Sequence, residues 1–388
     1  MAKPIRVLSA FGTRPEAIKM APVVQALSTT PGIESLVCVT AQHRQMLDPV
    51  LDLFGIVPDV DLNLMQPNQS PAEIAGAVFL RLDPVVRDIK PDWILAEGDT
   101  TTVMATAILA HYNRIGFGHV EAGLRTGDKW QPFPEEVNRM VAAAAADLHF
   151  APTEWARQNL LRENVPAEKI AVTGNPVIDA LQFAARQPAT PDSLSLLRRV
   201  GISAEPTGEE PPARLVLVTA HRRENFGAGM ERICAALRQL AEAYCDTVRI
   251  VYPVHLNPNV QGPVHRLLEK IPNIILLPPL DYLPLVTLLK RAAIVLTDSG
   301  GLQEEAPALG VPVLVLREVT ERPEGIGAGV VRLVGTEVPR IVSESRRLLD
   351  DPQAHAAMAH AVNLYGDGHA AERIAAAILR AGCFSKDR

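Results

Sequence analysis

PDWILAEGDTTTVMATAILAHYNRIGFGHVEAG, residues 91–123, reads as strand, helix, strand. The apolar run Trp93 to Glu97 ends in GDTTT, whose Asp and Thr side chains suit a helix N-terminus. A helical stretch, Thr101 to Tyr112, leads to a second run, Gly116 to Glu121. Strand, crossover helix and strand in that order make the parallel βαβ unit. The alternation extends both ways, with runs Ile5 to Phe11, Ser35 to Thr40, Leu148 to Ala151 and Ile170 to Thr173. Between them fall helical stretches Glu16 to Ser28, Arg44 to Phe54, Ala72 to Ile89, Glu135 to Ala146 and Glu154 to Arg162. Runs Leu215 to Thr219, Val248 to Val254, Ile274 to Leu277, Ile294 to Thr297 and Val313 to Leu316 repeat the theme. The expected fold class is α/β, with two doubly wound parallel sheets facing each other across a central cleft. Gln187 to Ala213, rich in Pro, Ser, Thr and Glu, is expected to be a surface loop or linker between the two series. Ala370 to Leu379 has helical character.

Composition narrows the class. With 388 residues there is length for two domains, and 47% apolar against 21% charged residues is an ordinary globular mix rather than the signature of disorder. The formal charge of −6 removes the broad basic field that drives binding to nucleic acid or to anionic membrane, so neither is expected as a partner. Cys38, Cys234, Cys245 and Cys383 never stand at C-x-x-C spacing, which predicts free, mostly packed thiols in a reducing compartment. The first residues lack the order of a signal peptide, and no apolar run is long enough to span a membrane. A cytoplasmic protein is expected.

In open α/β sheets, ligands sit outside the carboxyl ends of the strands. FGTRPE follows the first run, with Arg14 able to fork onto phosphate. EGDTTT, HVEAGLRTGD and QPFPEEVNRM carry Asp99, Glu121, Glu135 and Glu136 on successive loops. Carboxylates gathered at one sheet edge repel each other unless chemistry uses them, which suggests general acid/base work. Alone, Asp99 or Thr100 would serve equally as a helix cap. In the second half, TAHRREN brings His221, Arg222 and Arg223, and PVHLNPN brings His255. TDSGGLQEEAPALG opens a helix at Ser299, Gly300 and Gly301, where free amides favour a diphosphate, with Gln303, Glu304 and Glu305 in the first turn. REVTERPEGIGAG presents Arg317 and Arg322. No Walker A loop, G-x-G-x-x-G or H-E-x-x-H is present, so no cofactor and no metal are expected.

Taken in order, FGTRPEAIKMAP, VTAQHRQMLD, EGDTTT, GHVEAGLRTGD, PFPEEVNR, TGNPVIDAL, TAHRREN, VYPVHLNPNV, LTDSGGLQEEAPALG and ERPEG resemble the non-hydrolysing UDP-N-acetylglucosamine 2-epimerases, from about Val7 to Gly368. The resemblance implies two Rossmann-like domains in a glycosyltransferase-B-like arrangement. They are residues 1–172 joined by the C-terminal helix 370–388, and a UDP-binding domain, 173–369. It also implies a homodimer and the reversible conversion of UDP-GlcNAc to UDP-ManNAc, by elimination of UDP to 2-acetamidoglucal and re-addition.

Carried over residue by residue, the resemblance gives Asp99, Glu121 and Glu135 acid/base and sugar-positioning roles, and His221 a place near the diphosphate and sugar. Arg14 and Lys19 serve the ligand side of the first domain. Ser299, Gly300 and Gly301 hold the diphosphate, Glu305 the ribose hydroxyls, and Arg322 the sugar or its surroundings. Gln42, Gln45, Arg222 and His255 match positions of an activator UDP-GlcNAc. Two residues depart from the pattern: Glu97, where relatives commonly have His, adds negative charge beside Asp99, and Asn68 stands where some activated members carry Arg. The competing expectations are a hydrolysing epimerase, an epimerase of a modified UDP-N-acetyl sugar and, outside catalysis, a sugar-nucleotide sensor.

Overall fold

The computed structural model describes residues 3–40, 44–64, 66, 69–203, 213–360, 362 and 364–384, and of Arg44 to Met46 the backbone alone. The chain divides into two compact units, Met1–Ala180 with Tyr365–Arg388, and Leu181–Leu364.

In the first unit seven strands form one parallel sheet: β1 Ile5–Phe11, β2 Ile33–Val39, β3 Val60–Asp61, β4 Trp93–Glu97, β5 Gly116–Val120, β6 Leu148–Ala151 and β7 Ile170–Val172. Their order is β3-β2-β1-β4-β5-β6-β7. In the second unit six parallel strands, β8 Arg214–Thr219, β9 Val248–Pro253, β10 Ile274–Leu277, β11 Ala292–Thr297, β12 Val313–Val315 and β13 Val331–Leu333, run β10-β9-β8-β11-β12-β13. Central strands β4 and β5 are buried along their whole length, because helices cover both faces of a parallel sheet and near-continuous apolar runs satisfy both. The doubly wound α/β class expected from the sequence is therefore observed twice. Each sheet reverses its strand order once, between β1 and β4 and between β8 and β11. These are the topological switch points at which loops diverge and leave room for a ligand.

Two edge strands, β3 and β13, escape the sequence reading because they have two and three residues. The reading of Gln187 to Ala213 as loop needs correction. Pro191–Arg199 is a helix, started by Thr190, whose side chain accepts from the Ser193 amide at 3.1 Å. Its Leu197, with Val200 and Ile202, is buried in the core beside Leu215 and Leu217. Residues 204–212 lie outside the described part. The C-terminal helix, Ala370–Ala381, belongs to the first unit and packs on the helix Arg14–Thr29. Asp179 fixes its start by accepting from the amides of Ala370 (3.2 Å) and Ala371 (2.9 Å). Beyond its end, Trp93 Nε1 donates to the Gly382 carbonyl at 2.9 Å, and Phe384 meets the Trp93 ring edge-on. The four cysteines are free, Cys38 and Cys234 buried but Cys245 and Cys383 exposed. Among the described residues no helix is long and apolar enough to cross a membrane.

Candidate active site

At the first switch point, the turn after β1 is shaped by Glu16. Thr13 caps the helix Arg14–Thr29 in a capping box. The buried Glu16 carboxylate accepts from the amides of Gly12 (2.9 Å) and Thr13 (2.6 Å), and its other oxygen accepts from Thr100 Oγ1 at 2.6 Å. One side chain thus ties the turn after β1 to the turn after β4. Burial raises its pKa, against the hydrogen bonds that lower it. Thr100, not Asp99, caps the helix Thr101–Tyr112, accepting from the Val103 amide.

Asp99 is consequently available for other work. Its carboxylate is ion-paired to Arg139, which also holds Glu136 at 3.1 Å. Asn138 Nδ2 donates to the Asp99 carbonyl at 2.9 Å, and Glu136 Oε1 accepts from the amides of Thr126 and Gly127, both at 3.0 Å. The helix Glu135–Ala145 therefore uses Glu136, Asn138 and Arg139 to fix the turns after β4 and β5 together. Glu135 occupies its first position, half-buried.

Deeper lies a second cluster. Lys19 Nζ donates to Glu97 Oε1 and to Glu121 Oε1, both at 2.7 Å, and Asn175 Nδ2 donates to the same Glu121 oxygen at 2.8 Å. Glu97, expected to add charge beside Asp99, is instead engaged by Lys19 and Glu121. Its pKa is raised well above the ordinary carboxylate range, first by burial and then by the Glu121 charge and hydrogen bond, against the pull of Lys19. Glu121 sits at φ 61°, in the left-handed region that costs a non-glycine residue free energy and that concentrates at functional sites. His119 Nε2 meets the Gly98 carbonyl at 2.8 Å, so that nitrogen carries the proton, and burial lowers its pKa to about 4. Lys19, expected on the ligand side, donates to the Glu97 and Glu121 carboxylates. Arg14 is half-buried at the start of its helix.

The second switch point is organised by Asp298, fully buried after β11. It accepts from the amides of His221 (2.8 Å) and Arg222 (2.8 Å) and from Asn225 Nδ2 (2.9 Å), so it holds the turn after β8. Thr219 and Thr297, paired in register on β8 and β11, share a hydrogen bond at 2.6 Å. The His221 ring, half-exposed, stacks on that of His255, centroids 5.2 Å apart and planes 14° from parallel. His255 Nδ1 accepts from the Asn257 amide at 3.1 Å.

Ser299, Gly300 and Gly301 follow Asp298, ahead of the short helix Leu302–Ala308. The Ser299 amide already donates to Thr297 Oγ1 at 2.9 Å. Gly300 lies against a neighbour: a Cβ there would come 2.7 Å from Arg322 Nη1 and would press that guanidinium aside. Arg322 is buried, ion-paired to Glu304 and, at 2.6 Å, to Glu321. Glu321 also pairs with Arg317 at 3.0 Å, and Arg317 with Glu224 at 2.6 Å. Glu305 Oε2 accepts from Tyr282 OH at 2.9 Å, and burial next to that carboxylate keeps the phenol protonated.

The sequence reading named Glu136 among the strand-end carboxylates but passed over Glu16, Arg139, Asn175, Tyr282 and Asp298. The i, i+3 pair Glu136 and Arg139 was a usable signal for one contact. Glu16, three residues after Thr13, stands at capping-box spacing, and the others arise between chain segments far apart. Among the sequence-chosen residues, Lys19 and Glu121 meet, as do His221 and His255. Gln42, Asn68 and the Gln45 side chain lie outside the described residues. Among the described residues no group of three His, Cys, Asp or Glu is placed to hold a metal ion.

Comparison with known proteins gives the family. The family model described as UDP-N-acetylglucosamine 2-epimerase matches residues 25–379. The UDP-N-acetylglucosamine 2-epimerase of Escherichia coli K12 is 54% identical over 374 residues, 96% of this chain and 98% of the relative. The crystal structure of UDP-GlcNAc 2-epimerase from Neisseria meningitidis bound to UDP-GlcNAc superposes with TM-score 0.90 at 46% identity, covering 97% of this chain and 100% of that one. The Methanocaldococcus jannaschii UDP-GlcNAc 2-epimerase, in complex with UDP-GlcNAc and UDP, gives 0.83 at 31% identity over 97% and 100% of the two chains. With a match across most of its length and relatives above half identity, the chain belongs to the UDP-N-acetylglucosamine 2-epimerase family.

Proposed function

We propose that this chain is a non-hydrolysing isomerase that interconverts UDP-GlcNAc and UDP-ManNAc. A base removes the C2 proton, the C1–O bond to UDP breaks, and 2-acetamidoglucal forms. Addition of UDP at C1 and of a proton to the opposite face of C2 completes the inversion. Two faces of one carbon call for two proton-transfer groups, at hydrogen-bond reach and with environments that separate their pKa values. The observation that carries this reading is that the turns after β4 and β5 present two carboxyl groups in different settings. Asp99 is partly exposed and paired with Arg139, whereas Glu121 is buried against Lys19 and Asn175.

In this reading Asp99, Glu121 and Glu135 serve the sugar, and the first unit is the proton-transfer domain. The second unit holds UDP: Gly300, Gly301 and the Ser299 hydroxyl take the diphosphate, Glu305 the ribose, and His221 eases departure and return of the phosphate oxygen. Arg14 adds positive charge for the ligand. Arg322, held by Glu304 and Glu321, shapes the Gly300 turn and the surroundings of the sugar. In the second unit Arg222 and His255 serve an activator, linked to catalysis through the stacked His221 and His255 rings. We further propose a cytosolic homodimer, which sedimentation equilibrium tests.

Incubation with UDP-GlcNAc in D2O, followed by proton NMR, is the decisive experiment. The expected product is UDP-ManNAc with deuterium at C2. Free UDP with ManNAc would make the enzyme hydrolysing, and UDP binding without turnover would replace catalysis by sensing or by use of another UDP sugar.

A further inference from the structure

Strands β1 and β4 part before they end. Their last register pair is Ser9 with Leu95, whereas β1 runs on beside β2 to Phe11 and Val39, and β4 runs on beside β5 to Glu97 and Val120. The turn that carries Asp99 is therefore fastened on one side by the ladder to β5, which the Gly98 amide continues by donating to the Val120 carbonyl at 3.0 Å. Toward β1 the ladder has stopped, and a side chain spans the gap. Glu16, 2% exposed, accepts with one oxygen from the amides of Gly12 and Thr13 and with the other from the hydroxyl of Thr100, the residue after Asp99. Thr100 Oγ1 itself accepts from the Val103 amide at 3.3 Å, which leaves its own hydrogen for Glu16. Three donors on one buried carboxylate, the hydroxyl among them at 2.6 Å, make a stiff joint between the two turns.

We propose that Glu16 is the positioning residue for Asp99, acting through the Thr100 hydroxyl to set where the Asp99 carboxyl stands against the sugar. This rests on the reading of Asp99 as a proton-transfer group. The same helix reaches the other carboxyl group of that reading, because Lys19, three positions after Glu16 and on the same face, donates to Glu121 at 2.7 Å. The helix Arg14–Thr29 is thus a common reference for both groups. Glu16 fixes the turn after β4, and Lys19 holds the carboxylate after β5. Inversion at one carbon needs the two groups at hydrogen-bond reach together, and a misplacement of about 1 Å can cost a hundredfold in rate.

Kinetics of the full chain test the idea, with each kcat referred to the sites that bind UDP so that folded enzyme alone is counted. Thr100→Val removes the hydroxyl at nearly constant shape. It should lower kcat about tenfold, short of the roughly hundredfold loss of a direct acid or base, with KM for UDP-GlcNAc and UDP affinity unchanged, as when an interaction is felt only in the transition state. Thr100→Ser keeps the hydroxyl and should keep the unaltered kcat. Glu16→Asp retains an acidic group in the first turn but is one methylene too short to bridge both turns, and it should reproduce the loss. Because the two changes cut one bond, the double variant should be no slower than the slower single one.

Losses that multiply in the double variant overturn the proposal, since they assign Thr100 to its helix cap and Glu16 to its own turn as separate duties. So does a Thr100→Ser as slow as Thr100→Val, a loss seen in KM alone, or a normal kcat in Thr100→Val beside an inactive Asp99→Asn. Should Thr100→Val bind no UDP, Glu16→Asp decides in its place by the same comparison with Asp99→Asn. A fully active Asp99→Asn removes instead the reading of Asp99, and the proposal falls with it.

Discussion

The two units solve one problem in opposite directions. Each must pin together the two turns at its switch point, and each does so with a buried carboxylate that accepts from backbone amides. In the first unit that carboxylate is Glu16, on the helix after β1, reaching across to Thr100. In the second it is Asp298, on the turn after β11, reaching back to the amides of His221 and Arg222. The consequence falls on the residues that follow β4 and β11. Asp99, relieved of capping duty, is 25% exposed and ion-paired with Arg139, whereas Asp298 is fully buried and saturated with donors. Similar topology therefore yields a group that can exchange protons in one unit and a staple in the other. What separates them is which turn supplies the pin.

The largest expected effect tests that division. Asp99→Asn should lower turnover by at least about a hundredfold, the usual worth of a positioned acid or base, with an unchanged thermal midpoint because Arg139 keeps Glu136. Asp298→Asn should behave in the reverse sense. An amide accepts from fewer of the three donors and faces them with N–H groups of its own, so stability falls by roughly 1–3 kcal/mol for each donor left unpaired. Denaturant titration and UDP-GlcNAc turnover, measured on both variants, decide the matter. If Asp298→Asn lost turnover at full stability, the second unit's carboxylate would belong to the chemistry and the contrast would collapse.

A smaller effect separates the units by pH. His119 and His149 face each other in register on β5 and β6, and burial lowers their pKa values to about 4 and about 3. In the unfolded chain both titrate near 6.5. Below that pH the unfolded state takes up protons that the folded unit refuses, so folded stability is lost progressively as pH falls from 6.5 toward the folded values. The second unit's His221 is half-exposed and its His255 and His265 are exposed. Hydrogen exchange between pH 6.5 and 4 should show β5 and β6 losing protection before β8 and β11. The reverse order would remove buried histidine as the acid-sensitive element.

What the sequence made legible follows from distance along the chain. Strands and strand-end residues were readable because a parallel strand is a local apolar run and its carboxyl end is where a loop begins. Asp99, Glu121, His221 and Ser299 were found that way. Helix Pro191–Arg199 was hidden by its Pro, Ser and Thr content, although Thr190 followed by Pro191 is a helix start. The partners stayed hidden for a different reason: Lys19 meets Glu121 across 102 positions and Asp298 meets His221 across 77. Chemistry-bearing residues can be seen singly, but which of them share a charge is a property of the fold.

Tyr282 gives that last point its finest test. Its hydroxyl donates to Glu305 at 2.9 Å across 23 positions, and the phenol has no other evident task than to aim the carboxylate. If Glu305 binds the ribose hydroxyls, Tyr282→Phe leaves the packing of the ring intact and removes one donor that aims the carboxylate. The cost is that of one hydrogen bond to a charged group, about 1.5 kcal/mol, or roughly a tenfold weaker UDP complex. Calorimetry with UDP and with its 2′,3′-dideoxy analogue distinguishes the causes. Loss confined to UDP assigns Glu305 to the ribose, because the analogue has no hydroxyls for a misaligned carboxylate to miss. Equal loss for both ligands would mean that Tyr282 supports the Gly300 turn as a whole, and the ribose assignment would fail.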